Sequence, residues 1–92
     1  MIIAEIGINH LGNLNTLKKY IKFINKTKIE GVTIQLLKKN FFKDDFKHFY
    51  INRGTLLKTL IKLSKKKIGI VTDSVDDLII KNLKNIDFFK LL

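Results

Sequence analysis

The chain has no cysteine, a single arginine and only eight acidic residues, and each shortage narrows what it can be. Without cysteine there is no disulfide framework, no thiolate metal site and no thiol nucleophile. No apolar run approaches the roughly 20 residues that a membrane-spanning helix needs. The opening Met1-Ile2-Ile3-Ala4-Glu5 carries no basic stretch, and its apolar run is broken at Glu5, against a secretory signal. The expectation is a soluble, cytoplasmic chain with no membrane partner. Acid is scarce relative to base: 18 Lys and Arg against 8 Asp and Glu leave a net charge of +10. A basic surface can gain affinity for nucleic acid by releasing phosphate counterions. Yet 17 of the 18 basic residues are Lys in a chain also rich in Ile, Asn and Phe, as AT-rich coding gives. Recognition surfaces favour the planar fork of Arg. The lysines therefore read as solvated helix faces, and the composition argues against a nucleic-acid partner.

What is present is apolar patterning. Hydrophobic residues make up 46% of 92 residues, enough for one small packed domain. Four short β-branched or aromatic runs, Ile2 to Ile8, Val32 to Leu37, Ile68 to Thr72 and Ile86 to Leu92, are of strand length. The first three lack a clean alternation, which suggests strands buried on both faces. Between them Leu14, Leu17, Ile21 and Ile24 recur at helical spacing. Leu56, Leu57, Leu60, Ile61 and Leu63 form a second stripe, and Leu78, Ile79 and Leu83 a shorter third. Asn13 or Asn15 is expected to cap the first helix and Thr55 the second. Ser74, with Asp77 three residues on, resembles a capping box for the third. Gly31 suits a turn that closes the first helix. Lys38 to Arg53 reads as a loop with a helical turn, its five aromatics covering the end of the core.

The order β-α-β-loop-α-β-α-β predicts an α/β fold of four parallel strands and three helices. A small open sheet and the N-terminal half of a (β/α)8 TIM-type barrel both satisfy it. A full barrel takes about 250 residues, and this chain stops on an apolar strand, so the reading is a truncated barrel. The first strand ends unusually: Ala4-Glu5-Ile6-Gly7-Ile8-Asn9-His10 sets a carboxylate in an apolar strand and an Asn-His pair at its C-terminal edge. In α/β barrels that edge carries the active site.

The stretch Ile2 to Leu14 resembles the first strand and turn of the sialic acid synthase family, the N-acylneuraminate synthases and their spore-coat polysaccharide relatives. Their pattern A-E-I-G-x-N-H-N-G is broken here only at Leu11. Weaker likenesses follow in order: Gly31-Val32-Thr33-Ile34-Gln35 to a strand A-V-K-F-Q, Gly69-Ile70-Val71-Thr72 to a strand ending Ser-Thr, and Phe89-Lys90-Leu91 to Y-K-I-A-S. Together they span residues 1–92 as a partial synthase-type barrel domain.

The resemblance implies a condensation of phosphoenolpyruvate with the aldehyde of an N-acylmannosamine-type sugar. A divalent Mn or Mg ion would polarise the aldehyde. It also implies Glu5 as a catalytic carboxylate beside Gln35 near the sugar, Thr72 and Lys90 as phosphate ligands, and Asn9 and His10 as the turn at the pocket mouth. Several family features are missing. Thr33 stands where the family has a phosphate-binding Lys. Asp73-Ser74-Val75 replaces Pro-Phe-Asp. The two metal-ligand His residues and the C-terminal antifreeze-like domain lie beyond what this chain matches. Independent catalysis is therefore not expected. The rival readings are a non-catalytic half-barrel module that pairs with a complementary half or with itself, and a small basic nucleic-acid-binding protein.

Overall fold

Alternating extended and helical segments organise the computed structural model, which describes residues 1–92 apart from the side chain of Asp45. The strands are β1 (Ile3–Gly7), β2 (Gly31–Leu36), β3 (Lys67–Thr72) and β4 (Phe88–Leu91). The helices are α1 (Leu14–Asn25), α2 (Arg53–Leu63) and α3 (Asp77–Lys81). The strands form one parallel sheet in the order β1-β2-β3-β4. The predicted α/β class, four parallel strands and three helices are present.

The helices pack on one face of this sheet. Leu17, Ile21 and Ile24 of α1, Leu56, Leu57 and Leu60 of α2, and Ile79 of α3 join Val32, Ile34, Leu36, Ile68 and Ile70 in a single core. Each such side chain contributes about 1.5–3 kcal/mol by leaving water. The other face is uncovered. Along β2, buried Val32, Ile34 and Leu36 alternate with half-buried Thr33 and Gln35. The expectation of strands buried on both faces is thus corrected. Of the polar residues in those runs, Glu5, Thr33 and Gln35 occupy the second face, and Thr72 alone faces the helices.

The capping pattern also departs from expectation at two helices. Asn13 caps α1, accepting from the Thr16 amide at 3.1 Å. Asn52 caps α2, accepting from the amides of Gly54 and Thr55, so Thr55 lies inside the helix. Asp76 caps α3, ahead of Asp77 and past Ser74. Gly31 does not close α1, whose C-cap is Lys26; it opens β2 beneath the Phe88 ring. The segment between β2 and α2 forms two 3-10 turns, Lys39–Phe41 and Asp44–Phe49. Its aromatics pack mainly on one another, Phe42 against Phe41 and Tyr50 and Phe46 against Phe49. Phe41 and Phe46 stay exposed, and half-buried Ile51 packs against the core instead.

Candidate functional site

The C-terminal ends of the strands gather three features: a tight turn, a polar shelf and a buried guanidinium. The turn follows β1. The register slips between Glu5 and Gly7, and Gly7 takes φ 58°, which bends the strand out of the ladder. The amides of Asn9, Leu11 and Asn13 then donate to the carbonyls of Ile6, Ile8 and His10. Leu11 and Gly12 both have positive φ, 55° and 74°. Gly12 has no alternative, because a Cβ there would lie 1.9 Å from the His48 carbonyl oxygen. This contact seats the second 3-10 turn on the β1–α1 turn.

Asn9 is exposed at the rim, whereas His10 turns inward and is 1% exposed. Its Nδ1 accepts from the Gly12 amide at 3.0 Å. That fixes the neutral tautomer with the proton on Nε2, an atom that has no partner. Burial pushes the His10 pKa below its ordinary 6.5, since charging the ring means desolvating it.

The uncovered sheet face is the shelf. Parallel register sets Glu5 beside Thr33, and Gln35, Val71 and Lys90 in one row. Side chains two residues apart along a strand share a face, so Glu5, Thr33, Gln35 and Lys90 stand on this side together. With strands about 4.8 Å apart, Gln35 and Lys90 are separated by roughly 10 Å at the backbone. Glu5 and Lys90 are exposed and Gln35 is half-buried. Below them the Phe88 ring packs against Gly69, where a Cβ would meet it at 2.0 Å. This contact explains why Gly69 is buried on an otherwise open face.

Thr72 is not on the shelf. It faces the helix layer at 0% exposure, and its hydroxyl is taken up by Arg53, Leu36 and Ser74. Arg53, the residue that sequence reasoning passed over, lies at the centre of this network. Its Nε donates to the Leu36 carbonyl at 3.1 Å, and one terminal nitrogen donates to Thr72 Oγ1 and the Ser74 carbonyl at 2.9 and 3.0 Å. The other terminal nitrogen pairs with Asp76, the only ion pair among the described residues. One planar fork therefore ties β2, β3 and the start of α3 together, which a lysine cannot do. The Arg53 hydrogen bond holds the Asp76 carboxyl below its ordinary 3.8. The available signal was compositional: one arginine among seventeen lysines.

The donor set does not fit a divalent cation. No group of three His, Cys, Asp or Glu side chains comes together among the described residues. Glu5 stands alone on the shelf, and His10 spends its one acceptor nitrogen on a backbone amide. The shelf can offer an ammonium, an amide, a hydroxyl and a carboxylate to a small anionic, hydroxylated ligand. Comparisons of the chain with protein-family models, with curated proteins and with solved structures return no match.

Proposed function

We propose that residues 1–92 are the N-terminal half of a (β/α)8 barrel of the sialic acid synthase type, with the uncovered sheet face as part of its substrate surface. The reaction is condensation of phosphoenolpyruvate with the aldehyde of an N-acylated aminosugar. C3 of phosphoenolpyruvate bonds to the aldehyde carbon, whose C=O opens to a hydroxyl by taking up a proton. Water adds at C2 and gives up its protons, and the C2–O bond to phosphate breaks to leave the keto acid and inorganic phosphate. The observation that carries this reading is the shared position of Glu5, Gln35 and Lys90 on one face, near the strand ends where barrel enzymes bind substrate.

Each residue has a role set by its chemistry. The Lys90 ammonium neutralises the phosphate through a charge-assisted hydrogen bond. The Gln35 amide donates to and accepts from sugar hydroxyls. The Glu5 carboxylate faces C2, stabilises positive charge developing there, and takes the proton of the attacking water. Thr33 contributes a neutral hydroxyl where a second cation would grip the dianion more firmly, so phosphoenolpyruvate is held weakly. These residues bind substrate and handle a proton, and the four strands alone do not complete a turnover.

Titrating the isotope-labelled chain with phosphoenolpyruvate tests this directly. Amide shifts confined to Glu5, Thr33, Gln35 and Lys90 and lost in Lys90→Met are expected. Shifts confined to the lysines of α1 and α2 would mean the shelf is not the anion site.

A further inference from the structure

The net charge is not spread evenly over the molecule. None of the eight acidic residues lies between Leu14 and Lys26 or between Arg53 and Lys66. These two segments, which contain α1 and α2, hold nine of the 18 basic residues. The other nine are nearly offset by the eight acids, so most of the +10 belongs to these two segments. A compositional bias toward lysine raises the count everywhere; it does not remove acids from two helices that are adjacent in space.

The packing of α1 against α2 shapes that charge. Between them runs a groove of about 290 Å³ with Lys18 and Lys22 on one bank, Lys58 and Lys62 on the other, and Leu14 and Leu63 in its lining. It continues into a second concavity that brings in Lys26 and Lys65. Lysines four apart on a helix are about 6 Å apart along its axis, so each bank is a regular row of ammonium groups. Two basic residues of the segments are withdrawn from this layer: Arg53, 9% exposed and paired with Asp76, and half-buried Lys66, whose ammonium donates to the Thr27 carbonyl at 2.7 Å.

We propose that the groove between α1 and α2 holds the phosphodiester backbone of a single-stranded nucleic acid, without readout of its bases. Two banks of lysine facing a trough suit a chain of phosphates, whereas a bilayer surface is broad and would meet only the crests. No arginine and no aromatic side chain lines the groove, so base edges and base stacking have no partner there. Binding is then electrostatic and independent of sequence. It does not depend on the shelf chemistry, because the groove lies on the opposite, helix-covered side of the sheet.

The test is fluorescence anisotropy with a labelled 20-nucleotide single strand between 50 and 200 mM KCl. A groove variant, Lys18→Gln, Lys22→Gln, Lys58→Gln and Lys62→Gln, is compared with a charge-matched control, Lys39→Gln, Lys43→Gln, Lys81→Gln and Lys84→Gln. Four backbone contacts at about 0.7 each should lower the slope of log affinity on log salt by about 2.8 in the groove variant. Over that fourfold change in salt, this slope corresponds to about 50-fold in affinity, and the control should keep most of it. Amide shifts of the wild-type chain with the same oligonucleotide, centred on α1 and α2, give the same reading without substitution. Equal losses in both variants would mean that only net charge matters and would overturn the proposal. So would oligonucleotide binding that is undetectable at 50 mM KCl, or vesicles of anionic phospholipid bound in its place.

Discussion

Removing the Arg53 guanidinium should be the most damaging single polar substitution in the molecule. Arg53→Met keeps most of the stem and deletes every bond of the fork. The loss is not confined to Arg53, because the Leu36 and Ser74 carbonyls both lie 2.9 Å from Thr72 Oγ1, which has one proton to give. With Arg53 present, each carbonyl also receives a guanidinium N–H. Without it, one of them is left orphaned. A buried unsatisfied acceptor costs about 1–3 kcal/mol, and a hydrogen bond to a charged group contributes about 1.5–3. The Asp76 share is small, since its side chain is 42% exposed and water screens the pair. The expected loss is about 3 kcal/mol, a large fraction of the 5–15 kcal/mol typical of a domain. In urea, with a slope of about 1–1.5 kcal/mol/M, the midpoint should fall by about 2–3 M. Arg53→Lys keeps the charge without the fork and should recover at most half. The pH dependence carries a further check. A carboxyl depressed below its ordinary 3.8 contributes stability that is present above that value and is lost as pH falls through the folded-state pKa. The gap between wild type and Arg53→Met should therefore narrow below about pH 4. A midpoint shift under about 0.5 M, or a gap that widens in acid, would refute this account of the network.

Three more outcomes follow from the turn after β1. Gly12→Ala should cost about 3 kcal/mol in urea unfolding, because it combines a left-handed backbone with a Cβ pressed onto the His48 carbonyl. Leu11→Asn should gain about 1 kcal/mol in the same assay: Leu11 is 60% exposed at φ 55°, a conformation that Asn tolerates far better. Lowering pH through the window just below 6.5 should destabilise the wild type, since the unfolded chain there binds a proton that buried His10 does not. His10→Asn, which can still accept from the Gly12 amide, should remove that dependence while leaving the neutral-pH midpoint nearly unchanged.

The parts of this molecule legible in its sequence are those governed by short-range periodicity. The Leu14–Ile24 stripe produced α1 and its Asn13 cap, and four β-branched or aromatic runs produced four strands in the predicted order. Caps failed where two polar residues competed within one turn. Asn52 and Thr55 differ by three positions, and only packing of Leu56, Leu57 and Leu60 decides which one sits at the boundary. The run pattern overstates burial on both faces, because Thr33 and Gln35 interrupt an apolar run without announcing that the second face is open. The Arg53 network joins residues 17 to 23 positions apart, and the Gly12–His48 contact joins residues 36 apart. Nothing in local pattern reports contacts of that separation. Thr72, which the family resemblance implies as a phosphate ligand, illustrates the same limit: its place facing the helices and its bonds to Leu36 and Arg53 depend on register and distant contacts.

The measurement that bears most directly on the shelf as a phosphoenolpyruvate surface is calorimetry on wild type, Thr33→Lys and Thr33→Lys combined with Lys90→Met. Thr33 lies beside Glu5 on the uncovered face, one strand from Gly69. An ammonium there should add one charged hydrogen bond to the phosphate, worth about 1–3 kcal/mol. The predicted result is tightening of phosphoenolpyruvate binding by about 5- to 150-fold, with most of that gain lost when Lys90 is also removed. Unchanged affinity in a folded Thr33→Lys chain, or a gain indifferent to Lys90, would contradict the account.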